Sequence, residues 1–211
     1  ASNTTALIEQ LLSLKSPSKE FGQHYLHDDS VLSRAVELGN VGKGDVVLEI
    51  GSGPGTLTAH LLNSGVKVHA VEIDPESCTH LRQAFSQEID NGQLELFEGD
   101  ALQIDWSSEI TSIVANIPYQ ISSPLIERIL NHHRSGRRLQ TVVLLLQDEF
   151  ASRLAMLDGP SDHGPLGITT AFEWEVEADQ IVQSDAFTPA PSIRSRLVRL
   201  RPLEDAYQLP S

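Results

Sequence analysis

The chain has one cysteine, Cys78, one methionine, only four lysines, and aromatic residues at 5% of its 211 positions. A single thiol forbids an intramolecular disulfide and any zinc cluster built from several cysteines. No apolar run approaches the roughly 18 residues that cross a bilayer. The opening residues also lack the basic, apolar and small-residue succession of a secretory leader. The expectation is a soluble cytoplasmic protein with no membrane partner. Positive charge is scarce too, since 29 acidic residues against 15 basic ones give a formal net charge of -14. Such a surface repels nucleic-acid phosphate over most of its area. The arginines are nevertheless grouped, with Arg128, Arg134, Arg137 and Arg138 in one segment and Arg194, Arg196, Arg199 and Arg201 in another. A local basic face on an acidic body therefore stays open, and the acidic excess is compatible with adaptation to salt.

The length suits one sizeable α/β domain with a short appendage, and not two full domains. Leu7, Ile8, Leu11, Leu12 and Leu14 recur at helical spacing after Thr4 and Thr5, and Ser16-Pro17-Ser18-Lys19 ends that helix. Gly22-Gln23-His24-Tyr25-Leu26 reads as an ordered loop, and a second helix is expected from Asp29 to Leu38 with Gly39 as its stop. Strands and helices then alternate. Strands are expected at residues 46–50, 67–72, 94–97, 112–115 and 141–146, and helices at 56–62, 75–85, 124–130 and 149–157. This alternation predicts a doubly wound, mostly parallel sheet. Residues 159–165 read as the clearest loop. Beyond them Phe172, Trp174 and Val176 alternate with glutamates as a half-exposed strand, and a last strand spans 195–200. His132 and His133 read as a solvated helix end, Glu149 and Arg153 as a structural pair one helical turn apart, and Cys78 as inert.

Three features carry chemistry. The strand Val46–Ile50 runs into Gly51-Ser52-Gly53-Pro54-Gly55-Thr56 before a helix, a turn whose glycines let backbone approach a ligand closely. A dinucleotide fingerprint would place its third glycine at position 56, and Pro54 is foreign to a loop that grips pyrophosphate, which disfavours NAD. Glu72 ends the next strand, where a carboxylate can accept both hydroxyls of a ribose. Asp100 follows the third strand, placed to accept from an adenine amine. Together these suit a phosphate-free nucleoside cofactor such as S-adenosylmethionine. The third feature is Asn116-Ile117-Pro118-Tyr119 after the apolar run 112–115. An exocyclic adenine amine is a weak nucleophile, so a site that alkylates it must hold its protons on acceptors and aim the lone pair at the electrophile. The Asn116 side-chain carbonyl and the Ile117 backbone carbonyl fit that need. Pro118 stiffens the turn, and Tyr119 offers a face on which an unstacked base can lie.

On these residues the chain resembles the ribosomal RNA adenine dimethyltransferases of the KsgA type. The similarity runs from about Gly22 to Pro202. It rests on Gly22–Leu26, Val47–Thr58, Asn116–Tyr119, Leu146–Leu154, and Phe187-Thr188-Pro189-Ala190-Pro191 with Ser195. The resemblance implies a Rossmann-like class I methyltransferase fold, with a seven-stranded sheet whose last strand is antiparallel. It implies a helical extension at residues 1–21, a methyltransferase domain at 22–202 and a tail at 203–211, the family's small C-terminal helical domain being absent. It implies S-adenosylmethionine contacts from His24, Leu26, Gly51, Glu72, Asp100 and Asn116, and a target adenine held between Tyr119 and Phe187. Two neighbouring adenines near the 3' end of small-subunit rRNA would each be dimethylated on an immature small subunit, by a monomer that needs no metal. The RNA contacts expected are Arg137, Arg138, Arg194, Arg196 and Arg201. His24 and Tyr25 stand where many relatives carry Asn and Phe, Asp148 where a basic residue is common, and His163-Gly164-Pro165-Leu166 for a more usual Tyr-Gly-Arg-Leu. Two other readings share much of this pattern: a large-subunit rRNA methyltransferase of the macrolide-resistance type, and a non-catalytic RNA-binding assembly factor.

Overall fold

The structure, a computed structural model, describes residues 3–159 and 164–204. After α1 (Thr4–Leu14), β1 (Tyr25–Leu26) and α2 (Asp29–Gly39), the strands β2 (Val46–Ile50), β3 (Lys67–Glu72) and β4 (Leu94–Glu98) are separated by α3 (Thr56–Asn63), α4 (Pro75–Ala84) and α5 (Ser86–Asp90). Then come β5 (Ser112–Asn116), α6 (Ser122–Arg134), β6 (Thr141–Gln147), α7 (Asp148–Leu154) and α8 (Pro165–Ala171), followed by β7 (Trp174–Val182), β8 (Phe187–Thr188) and β9 (Ser195–Pro202). Seven strands form one sheet in the order β4-β3-β2-β5-β6-β9-β7. The first five are parallel, and β9 runs antiparallel to both β6 and β7. The chain thus has the doubly wound α/β fold with an antiparallel last strand.

Central strands read as unbroken apolar runs because both their faces are covered. Residues Thr141 to Leu146 of β6 are all buried, whereas edge strand β4 leaves Glu95 and Glu98 exposed. On one face Leu32, Leu57, Leu61, Leu81 and Phe85 close over Val47, Val68, Val114 and Leu145. On the other, Trp106, Leu125, Ile129 and Trp174 close over Ile113, Leu144 and Val198. Burying each such side chain contributes about 1.5–3 kcal/mol before entropy is charged against it.

Some expectations need correction. His132 and His133 are buried, not solvated: the period of α6 turns both inward, where they pack on Trp106 and Trp174 with ring centroids 5.4 and 4.8 Å apart. Burial lowers both imidazole pKa values, so they stay neutral packing groups. Helix α8 occupies residues 165–171, begun by Pro165 in its first turn. Phe172 lies at its C-cap, so the strand starts at Trp174 and runs on to Val182. Residues 160–163, most of the expected loop, and 205–211, most of the expected tail, lie outside the described residues. Among the described residues no helix is long and apolar enough to cross a membrane.

Candidate active site

Strand order reverses between β2 and β5, and ligands of open α/β sheets bind outside the carboxyl ends of strands at such a point. β2 leaves the sheet at Gly51 and β5 at Asn116, so the glycine loop and the Asn-Ile-Pro-Tyr turn are neighbours by topology. Gly51 has φ +74°, and a Cβ there would sit 3.4 Å from the Asn116 carbonyl oxygen and from Pro118 Cδ. At Gly55, φ +90°, a Cβ would lie 2.4 Å from the Phe85 ring, so this loop can turn into α3 only as glycine.

A crevice of two lobes opens at this edge. One lobe, about 700 Å³ with the solvent at its open mouth, is lined by His24, Tyr25, Leu26, Glu49, Gly51, Gly53, Glu72, Asn116, Ile117, Tyr119 and Phe187. The second, about 560 Å³, is lined by Gly99, Asp100, Ala101, Gln120 and Ile121. Phe21, Gly51, Ile73 and Pro118 line both. Among the described residues neither lobe is lined by lysine or arginine, while Glu49, Glu72 and Asp100 contribute carboxylates. That chemistry fits a cationic nucleoside and not a phosphate ester.

Every residue expected to touch cofactor or target base therefore lines this crevice. Glu72 is buried, and its carboxylate accepts from Gly53 N–H (2.7 Å) and Asp74 N–H (2.8 Å). Burial pushes its pKa up against those two bonds. Asp100 accepts from Leu102 N–H (2.9 Å), and the turn that carries it is anchored from α6, where Arg128 donates to the Ala101 and Ile104 carbonyls and lies 4.5 Å over the Trp106 ring. Arg128 is thus a bracket for that turn. Asn116 is half-buried, and among the described residues its side-chain amide bonds to no protein group. Tyr119 starts a short 3-10 turn (Tyr119–Ile121), and its hydroxyl is 2.5 Å from the buried Ser195 Oγ. β1 and β8 pair antiparallel, Tyr25 opposite Thr188 and Leu26 opposite Phe187, which ties the 22–26 and 187–191 motifs together. His24 lies near-parallel to Tyr119, centroids 6.3 Å apart, and its Nδ1 is 2.8 Å from the Pro189 carbonyl oxygen.

Tyr119→Ala is expected to cost about 1–3 kcal/mol in engagement of the target base, the usual worth of a stacked base. Tyr119→Phe should be mild, about 1 kcal/mol, because the ring remains and only the bond to Ser195 is lost. Rates at sub-saturating RNA check both; a Tyr119→Phe loss as large as that of Tyr119→Ala contradicts a stacking role.

The sequence motifs do not single out Glu49, although a carboxylate in an otherwise apolar strand is a signal. Its Oε1 accepts from Ser52 Oγ (2.8 Å) and Thr58 Oγ1 (2.5 Å), and burial raises its pKa to about 7. A carboxyl raised in the folded state adds stability that is present below its unfolded value of about 4.5 and lost as pH rises through about 7. Glu49→Gln removes that dependence. The parent should therefore lose about 3 kcal/mol relative to Glu49→Gln between pH 4.5 and 7. Denaturation midpoints across pH measure it, and parallel curves for the two proteins contradict it.

Four of the five expected RNA arginines are engaged with the protein. Arg194 and Arg196 both donate to Asp148, at 2.7 and 2.9 Å, and Arg201 pairs with Glu175 and Glu177. Burial opposes ionisation of Asp148, yet the bonds from Arg196 and Arg194 hold its carboxyl below its usual range. Arg137 donates to the Trp106 carbonyl (3.2 Å), and Arg138 is exposed. Glu149 and Arg153 are 3.6 Å apart, as expected. Burial pushes the Cys78 thiol up to about 12.

Comparison with known proteins fits this geometry. A family model described as ribosomal RNA adenine dimethylase matches residues 15–208. A protein of Haloarcula marismortui named probable ribosomal RNA small subunit methyltransferase A is 39% identical over 191 residues, 90% of this chain and 65% of that protein. One of Prochlorococcus marinus named ribosomal RNA small subunit methyltransferase A is 38% identical over 202 residues, 92% of this chain and 71% of its own length. The crystal structure of a dimethyladenosine transferase from Plasmodium falciparum superposes with a TM-score of 0.78 at 32% identity, covering 87% of this chain and 65% of that one. That of the 23S rRNA methyltransferase ErmE gives 0.74 at 28% identity, covering 85% and 70%. The chain spans about two thirds of the length of these relatives. With the family model matched over nearly the whole sequence and the site's motifs gathered at one sheet edge, this chain belongs to the ribosomal RNA adenine dimethylase family.

Proposed function

We propose that this chain dimethylates the exocyclic amine of two adjacent adenines near the 3' end of small-subunit rRNA, during assembly of that subunit in the cytoplasm. The observation that carries this reading is the junction of Gly51 and Asn116: an acidic crevice, without lysine or arginine in its lining among the described residues, opens onto the Asn-Ile-Pro-Tyr turn. Glu72 takes the ribose hydroxyls, Asp100 the cofactor's adenine amine, and His24, Leu26, Gly51 and Asn116 complete the cofactor contacts. S-adenosylmethionine, when bound, supplies a methyl group on a sulfonium. The Asn116 side chain and the Ile117 carbonyl hold the protons of the target amine, which turns the nitrogen lone pair towards that methyl. Pro118 keeps the turn stiff. Tyr119 and Phe187 hold the base after it leaves its stack, and the amine sheds a proton to solvent as the N–C bond forms and the S–C bond to the methyl breaks, leaving a neutral thioether, once for each methyl added. Arg137, Arg138, Arg194, Arg196 and Arg201 are the proposed RNA contacts, and at Arg194 and Arg196 a phosphate must compete with Asp148. The methyltransferase unit is residues 22–202.

Labelled-methyl transfer to immature small and large subunits, offered separately, tests the substrate. Label is expected on the small subunit. Label on the large subunit alone would assign the activity seen in the name of the ErmE structure, and no transfer to either would leave an RNA-binding assembly role.

A further inference from the structure

Lys15, the C-cap residue of α1, is one of the few lysines in the chain, and its side chain is only 7% exposed. Helix α1 is seated by Leu7, Ile8 and Leu11, the last two packed with Tyr25. From its end the Lys15 ammonium reaches Asp74 Oδ2, on a side chain 5% exposed, and donates to Gln23 Oε1 at 2.7 Å. Gln23 Oε1 also accepts from Ser18 N–H (2.8 Å) and Tyr25 OH (2.9 Å), while Gln23 Nε2 donates to Asp74 Oδ2 (2.8 Å). Asp74 N–H in turn donates to Glu72 Oε2. One buried ammonium thus joins the loop that carries Gln23, His24 and Tyr25 to the residue that fixes Glu72, and all four of these line the crevice.

We infer that Lys15 is a positioning residue for the cofactor, clamping the 22–26 segment and the Glu72 carboxylate in the geometry the ligand needs. This rests on reading the crevice as the S-adenosylmethionine site. Burial works against ionisation of Asp74, and the bonds from Lys15 and Gln23 overcome it. Without the ammonium, a buried carboxylate is left beside Glu72 and Glu76 with Gln23 and Ser77 (3.1 Å) as its side-chain donors. A buried charge that loses its partner drives local rearrangement, and the segment that would move forms a wall of the site. The direction of the effect separates positioning from simple charge. S-adenosylmethionine is a net cation, so deleting a nearby positive charge would by Coulomb's law alone tighten binding. A clamp predicts the reverse.

Lys15→Met in the whole chain tests this, with S-adenosylmethionine and S-adenosylhomocysteine as calorimetric probes. Kd for both should rise about 10-fold or more, and the KM for S-adenosylmethionine with it, while kcat at saturation changes by less than about three-fold, since misplacement is confined to the cofactor wall. Unchanged or tighter binding, or a fall in kcat at constant KM, overturns the inference. If circular dichroism shows Lys15→Met unfolded, the double variant Lys15→Met, Asp74→Asn removes both buried charges. It should fold and still bind weakly, and parent-like affinity there overturns the clamp. A parent chain that binds neither probe overturns the cofactor reading, and this inference with it. A parent that binds beside an equally binding Lys15→Met overturns the inference alone.

Discussion

Asn116→Ala is expected to lower methyl transfer about 100-fold or more while leaving S-adenosylmethionine affinity within about three-fold of the parent. Two structural facts separate rate from binding here. The Asn116 side chain bonds to no protein group among the described residues, so it holds up nothing else. It also stands at the end of β5, where Pro118 fixes the turn that follows. On the proposed reading its acceptor is available to the reacting amine, whose proton geometry matters most as the nitrogen becomes tetrahedral. Single-turnover rates and calorimetry separate the two quantities. Equal losses in both would make Asn116 first a ligand of the cofactor.

Glu72→Ala is expected to weaken cofactor binding at least about 100-fold, from the loss of charge-assisted bonds to a ribose worth about 1.5–3 kcal/mol each. It should also destabilise the fold by about 1–3 kcal/mol. The second effect arises because the same carboxylate satisfies Gly53 N–H and Asp74 N–H, and no partner replaces it when the side chain is cut back. Removing a buried acid whose pKa burial has raised returns part of that cost. Glu72→Gln repairs only half the damage, since one of the two amides then faces an NH2 group instead of an oxygen. Calorimetry and chemical denaturation on both variants measure these effects. A fully stable Glu72→Ala with unchanged affinity removes Glu72 from the site.

The parallel core was legible because β2, β3, β5 and β6 are apolar runs separated by helical periods, and the ends of these strands are marked by Gly51, Glu72 and Asn116. The pairing of β1 with β8 was not: each is two residues long, and what joins them is 160 residues of intervening fold, not local pattern. Likewise α8 is only seven residues long and follows a Gly/Pro-rich stretch that reads as loop. The His132-His133 pair misled because histidine is polar by composition, yet its ring packs well against indole. At Arg137 and Arg194 the sequence likewise shows the charge and not its protein partners. Charge is visible in sequence, whereas the carbonyls and the Asp148 carboxylate that occupy it are set by tertiary structure. The Lys15–Gln23–Asp74 cluster joins residues up to 59 positions apart, a separation at which spacing carries no signal.

Nucleoside mass spectrometry on immature small subunits, incubated with this chain and S-adenosylmethionine, tests the transfer of methyl groups to an adenine amine. N6,N6-dimethyladenosine should accumulate at two adjacent positions, appear with the parent, and be lost with Asn116→Ala. Methylation confined to another base or to a ribose hydroxyl, or dimethyladenosine formed equally by the parent and Asn116→Ala, would contradict the account.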